Sequence, residues 1–133
     1  MSAEVGFTWW ELSMVGYGAD CEFELGRIDA SERKNRRALE LARQIDDRQS
    51  LIYTLAHIAR DAAVRGNAGR AGRLWGALEA EAERAPVGQW EAEREKYAEG
   101  VLAVDGPEFE RACEEGRRLS FEAAVSEALE AAG

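Results

Sequence analysis

Residues 48–84, RQSLIYTLAHIARDAAVRGNAGRAGRLWGALEAEAER, decide the fold. Leu51, Leu55, Ile58, Ala59 and Ala62 recur at the three- and four-residue steps that collect side chains on one face of an α-helix. Gly66-Asn67 then interrupts the run, as a glycine able to adopt a left-handed backbone does at a helix end. A second run, Ala71, Leu74, Trp75, Leu78 and Ala82, follows at the same spacing and stops at Ala85-Pro86-Val87-Gly88. Two helices joined by so short a turn fold back on each other. Ala59 and Ala71 let them approach, while Leu55, Ile58 and Trp75 fill the remaining space.

The same reading extends in both directions. Toward the start, Thr8 with Glu11 reads as a capping box opening a first helix, with Leu12, Val15, Ala19 and Phe23 near one face and Gly26 as its stop. Gly16 and Gly18 each lower its helix propensity by ~1 kcal/mol relative to Ala. Asp29 with Glu32 gives a second capping pair, and Ala38, Leu39, Ala42 and Ile45 form a second helix ending at Asp46-Asp47. Beyond residue 88, Trp90, Tyr97, Val101 and Val104 mark a fifth helix. Pro107 opens a sixth carrying Phe109, Ala112, Cys113 and Gly116, and Ser120 caps a seventh carrying Phe121, Ala124, Val125, Ala128 and Leu129. A shift of 40 residues lays Leu25-Gly26-Arg27-Ile28 over Arg65-Gly66-Asn67-Ala68, a period in the range of helical solenoids. The expected architecture is all-α: one domain over 1–133, built of tandem antiparallel helix pairs (8–45 and 48–84) closed by capping helices over 88–131.

Composition and charge narrow the function classes. The 26 acids outnumber the 17 bases, giving a net charge of -9 that phosphate backbones repel, so no direct nucleic-acid contact is expected. The charge is uneven: residues 1–24 hold five acids and no base, whereas Arg27 to Arg73 hold eleven bases against six acids. Cys21 and Cys113 have no neighbouring Cys or His at metal-ligand spacing, and read as buried free thiols in a reducing compartment. The opening MSAEVGFTWW lacks a signal peptide's charged flank and apolar run, and no apolar stretch approaches the ~20 residues of a membrane span, so a cytoplasmic protein is expected.

Leu55, Ile58, Ala59, Ala62, Gly66, Ala71, Trp75 and Leu78 stand at the consensus positions of a tetratricopeptide repeat, and the chain resembles that family, with Ala62 and Leu78 departing in size. The first unit matches at Val15, Ala19 and Ala38 and departs at Gly18, Glu22 and Asn35. A further resemblance rests on Arg70-Ala71-Gly72-Arg73-Leu74-Trp75-Gly76-Ala77, then Tyr97, then Glu115-Gly116-Arg117-Arg118-Leu119-Ser120-Phe121-Glu122-Ala123-Ala124-Val125. Over residues 48–130 the chain is similar to the end of the helical sensor region of LuxR-type and MalT-like ATP-binding transcription regulators and related predicted ATPases. In that family an ATPase domain lies upstream and a helix-turn-helix domain often follows. No GxxxxGK phosphate loop and no recognition helix occur in this sequence, so neither activity carries over. The resemblance implies a signal- or partner-sensing scaffold, a segment of such a regulator or a stand-alone relic of one.

The residues themselves point to binding rather than catalysis, and to no cofactor. His57, the single histidine, falls between core positions and is expected as a partly exposed helical histidine with no catalytic or metal role. Glu79, Glu81, Glu83 and Glu91, Glu93, Glu95 alternate at spacing two, which spreads them over a solvated helix surface. Arg33, Lys34, Arg36 and Arg37 concentrate four bases in five positions, expected either as a solvated face balanced by acidic helices of the same chain or as a groove for an acidic partner. Trp9 and Trp10 sit near a stack end that would ordinarily be polar, and are candidates for contact with a protein partner, a missing upstream repeat, or a second copy in a dimer. The leading expectation is a non-enzymatic protein-interaction scaffold. The alternative is a small-molecule sensor with an effector pocket between helices near Trp75, Trp90 and Tyr97.

Overall fold

The computed structural model describes residues 3–130. Seven α-helices, and no strand, occur among them: α1 (Ala3–Glu24), α2 (Ile28–Gln44), α3 (Arg48–Val64), α4 (Ala68–Arg84), α5 (Trp90–Val101), α6 (Pro107–Arg118) and α7 (Phe121–Leu129), with a 3-10 turn Leu102–Val104 after α5. Among the described residues no helix is long and apolar enough to cross a membrane.

The first three helices end in one and the same way. The N–H of Arg27 donates to the carbonyl of Glu22 at 2.9 Å, that of Asp47 to Ala42 at 3.1 Å, and that of Asn67 to Ala62 at 2.9 Å. In each case the preceding residue is left-handed: Gly26 at φ 76°, Asp46 at 52° and Gly66 at 78°. This six-to-one closure satisfies carbonyls that a helix end otherwise leaves open. It recurs every 20 residues, so the 40-residue offset of the sequence is a real structural period over this part of the chain. Each turn sends the next helix back along the previous one, and α1 packs on α2, α2 on α3, and α3 on α4.

α3 lies at the centre. It buries ten of its seventeen residues, because α2, α4, α5 and α7 all pack against it. Leu55, Ile58, Leu74 and Leu78 are fully enclosed, each stabilising the fold by about 1.5–3 kcal/mol relative to exposure. The hydrophobic core is one cluster from Leu12 to Ala128.

α6 packs on α4 more closely than side chains permit. A Cβ at Gly72 would stand 2.6 Å from the Phe109 carbonyl, one at Gly76 would fall on the carbonyl of Cys113, and one at Gly116 on that of Arg73. The backbones of α4 and α6 therefore meet across three glycines. Arg70 and Arg73 of α4 then hold α7. Arg70 donates to the carbonyls of Ala128 and Glu130 at 3.0 Å and of Glu127 at 3.3 Å, and Arg73 reaches the Glu127 carboxylate at 2.8 Å and that of Glu115 at 2.7 Å.

Several sequence expectations need correction. α1 begins at Ala3, so Thr8 and Glu11 lie inside the helix and form no capping box; Glu4 in the first turn suits the helix dipole instead. Asp29 and Glu32 do not cap α2, whose start has no side-chain cap; both carboxylates turn to Arg65, and Glu32 also to Arg70. Cys21 is exposed, because it falls on the side of α1 turned away from the core. The fifth helix closes at Val101, and Val104 belongs to the 3-10 turn. Ser120 does cap α7, accepting from the N–H of Ala123 at 3.1 Å.

Candidate interaction surfaces

α1 packs only one side. Leu12 and Ala19 are its buried residues, whereas Phe7, Trp9, Trp10, Met14 and Tyr17 remain half to three-quarters exposed. Phe7, Trp10, Met14, Tyr17 and Cys21 follow one another at alternating steps of three and four, which on a helix forms a single ridge opposite Leu12 and Ala19. Trp10 stands on that ridge; Trp9, one residue back, is turned about 100° from it. Three of the five acids of α1 are matched within the chain: Glu11 by Arg37 at 3.2 Å, Glu22 by Lys34 at 3.3 Å and Asp20 by Arg60 at 3.4 Å. The Arg60 guanidinium also lies 3.7 Å over the Phe23 ring, fixing the end of α1 on α3.

The four bases of α2 divide. Lys34 serves Glu22, and Arg37 serves Glu11 and Glu40, so both tie α2 to its surroundings. Arg33 and Arg36 have no carboxylate within 4 Å among the described residues, and neither has Arg43 two turns further on. Arg33, Arg36, Arg37 and Arg43 line one wall of an open groove of about 530 Å³, with Leu129 of α7 opposite. Arg43 also borders a neighbouring cleft of about 490 Å³, lined by Leu51, Phe121 and Val125 together with Arg48 and Arg84. The two spaces share Arg43 and are both lined by residues of α7, and together they are called the α2–α7 channel. Six arginines line it against four carboxylates, of which Glu40 and Glu81 are already engaged by Arg37, Arg48 and Arg84. Sequence reasoning found Arg33 and Arg36 but not Arg43 or α7, because the channel exists only once α7 folds back beside α2.

Trp75, Trp90 and Tyr97 do come together, with Tyr53 and His57, but they pack on one another. Trp90 stacks on Tyr97 at 5.5 Å and meets Tyr53 edge-on at 5.4 Å, and Trp75 lies 6.0 Å from Trp90. Both tryptophans are buried, so the rings themselves occupy the space expected to be a pocket. His57 lies on Tyr97 at 5.3 Å and, as expected, keeps part of its edge exposed. Burial, then the charge of Arg60, push its pKa down to about 4, against a smaller upward pull from Asp20. Burial likewise pushes the Cys113 thiol up to about 11.

Of the alternating glutamates, Glu91 and Glu95 are exposed as expected, but the first three are not a free solvated face. Glu79 is bridged by Arg94 at 2.6 Å, Glu81 by Arg48 and Arg84 at 2.7 Å each, and Glu83 by Arg117, so the row clamps α4 to α3, α5 and α6. No group of three or more metal-capable side chains occurs among the described residues.

A buried polar cluster joins α2 to α3. Ser31 donates to Asp61 at 2.9 Å and Asn35 donates to its other oxygen at 2.9 Å, all three side chains being enclosed. Burial raises the Asp61 pKa to about 6 despite these two hydrogen bonds. The cluster fixes how α2 sits on α3, and so where the arginine wall stands.

Compared with protein-family models, with curated proteins and with solved structures, the chain matches none.

Proposed function

We propose that the chain is a non-enzymatic protein-interaction scaffold whose channel between α2 and α7 holds an acidic segment of a partner protein. The observation that carries this reading is the set Arg33, Arg36 and Arg43, three guanidinium groups without carboxylate partners among the described residues, on a protein of charge -9. Arginine holds carboxylates through a planar fork, and the apolar floor of Leu51, Phe121, Val125 and Leu129 suits the hydrophobic side chains of an extended or helical peptide. The non-enzymatic reading is supported by the neutral, ring-packed His57 and the un-ionised Cys113, neither of which is poised as base or nucleophile. The resemblance of residues 70–77 and 115–125 to the sensor region of LuxR-type regulators supports placing such a scaffold in signal reception.

A fluorescein-labelled peptide of alternating Glu and Leu tests the reading by anisotropy. Binding that weakens with added salt, and about ten-fold again in an Arg36→Glu, Arg43→Glu variant, is expected from loss of rim charges. Equal affinity for the variant, or a preference for a single-stranded oligonucleotide, would contradict it.

A further inference from the structure

We infer that the uncovered ridge of α1 is the seam of a two-fold dimer, in which α1 of a second copy lies antiparallel along it with Met14 at the axis. Phe7, Trp10, Met14 and Tyr17 are 69, 60, 53 and 72% exposed, and Leu25 at the end of the ridge 65%. At roughly 150–250 Å² for a large side chain, these five alone leave on the order of 600 Å² of apolar surface facing water on each copy. A stable interface needs about 800 Å² per partner, which the backbone and flanks of a 22-residue helix supply. No charged residue interrupts the ridge from Phe7 to Cys21.

The pattern is self-complementary. Phe7 and Cys21 lie seven residues either side of Met14, and Trp10 and Tyr17 lie four and three. Antiparallel pairing about Met14 sets the large Phe7 ring over the small Cys21 of the second copy, and Trp10 beside the second copy's Tyr17 and Gly18. Gly6 and Ser13 border the ridge and allow close approach, with open space beside Gly6. A lipid surface fits less well: α1 carries five acids and no base, and anionic membranes repel it. The seam and the arginine channel share no residue, so failure of either reading leaves the other standing.

Disulfide trapping reads the register directly. Met14→Cys in a Cys21→Ser background is expected to give a covalent dimer with oxidised glutathione, and Phe7→Cys to cross-link to the native Cys21 of the second copy. Glu40→Cys in the Cys21→Ser background, on the exposed side of α2, is expected to stay monomeric on a non-reducing gel. Light scattering of the untreated chain at tens of micromolar should give twice its 14.7 kDa mass, falling to one chain in Trp10→Glu, Tyr17→Glu with the helical circular dichroism unchanged. A chain that stays at one mass at every concentration, a dimer that survives both charges, or preferential Cys21–Cys21 linkage in the native chain would each overturn the proposal.

Discussion

Asp61 and His57 stand one turn apart on α3 and are shifted in opposite directions, which predicts a compensated pH profile. Asp61 has its pKa raised from 3.8 to about 6, so the folded chain holds its proton where the unfolded chain has lost it. That stabilisation is complete below pH 3.8 and is lost as pH rises through 6. His57 has its pKa lowered from 6.5 to about 4, so the unfolded chain takes up a proton that the folded chain refuses. Its contribution is complete above pH 6.5 and is lost as pH falls through 4. Each shift spans a little over two units, or roughly 3 kcal/mol at 1.36 kcal/mol per unit. Between pH 4 and 6 the two slopes cancel. Urea unfolding followed by circular dichroism is therefore expected to give the wild type stabilities within about 1 kcal/mol across this window. Asp61→Asn removes one slope, leaving stability that rises with pH by ~2–3 kcal/mol; His57→Gln leaves the reverse, a fall of similar size. Parallel profiles for all three proteins would refute the reasoning, as would slopes of the opposite sign.

Other substitutions probe the packing. Gly76→Ala drives a methyl into the Cys113 carbonyl and is expected to cost about 3 kcal/mol, read as a melting point lower by on the order of 10 °C. Arg70→Ala strips α7 of its carbonyl partners and leaves Glu32, 3% exposed, with Arg65 alone; amide exchange should accelerate throughout α7 while α3 stays protected. Asp46→Gly relieves the one non-glycine left-handed residue among those described and should raise stability by about 0.5–1 kcal/mol in the same urea assay.

The all-helical fold was legible because its signals are local. Apolar spacing within α2, α3 and α4, glycine stops at 26 and 66, and the Ser120 cap each act within a few residues, and the helices form where those signals stand. The start of α1 was misplaced because a capping box works only at a helix end, and Ala3-Glu4-Val5-Gly6-Phe7 continues the helix past Thr8. Long-range contacts were not legible. Gly72, Gly76 and Gly116 read as weak helix formers until α4 and α6 are seen touching through them. Residues 70–77 and 115–125 serve one another: Arg73 bridges Glu115, the glycines interlock, and Ser120 starts the helix that Arg70 holds. At the candidate sites, Arg33 and Arg36 were visible as a charge excess, but their division from Lys34 and Arg37 was not. It depends on Glu22 and Glu11 of α1 arriving beside α2. The exposed ridge of α1 was visible only as Trp9 and Trp10, since an apolar helix face is read as core until the structure leaves it uncovered.

The role proposed for the α2–α7 channel is to receive an acidic protein segment. Titrating the ¹⁵N-labelled chain with the Glu-Leu peptide while following its amide resonances tests this most directly. Progressive, saturable shifts centred on Arg33, Arg36, Arg43, Val125 and Leu129 are predicted, with α5 and α6 unmoved. A spectrum unchanged at millimolar peptide, or shifts confined to helices away from the channel, would contradict it.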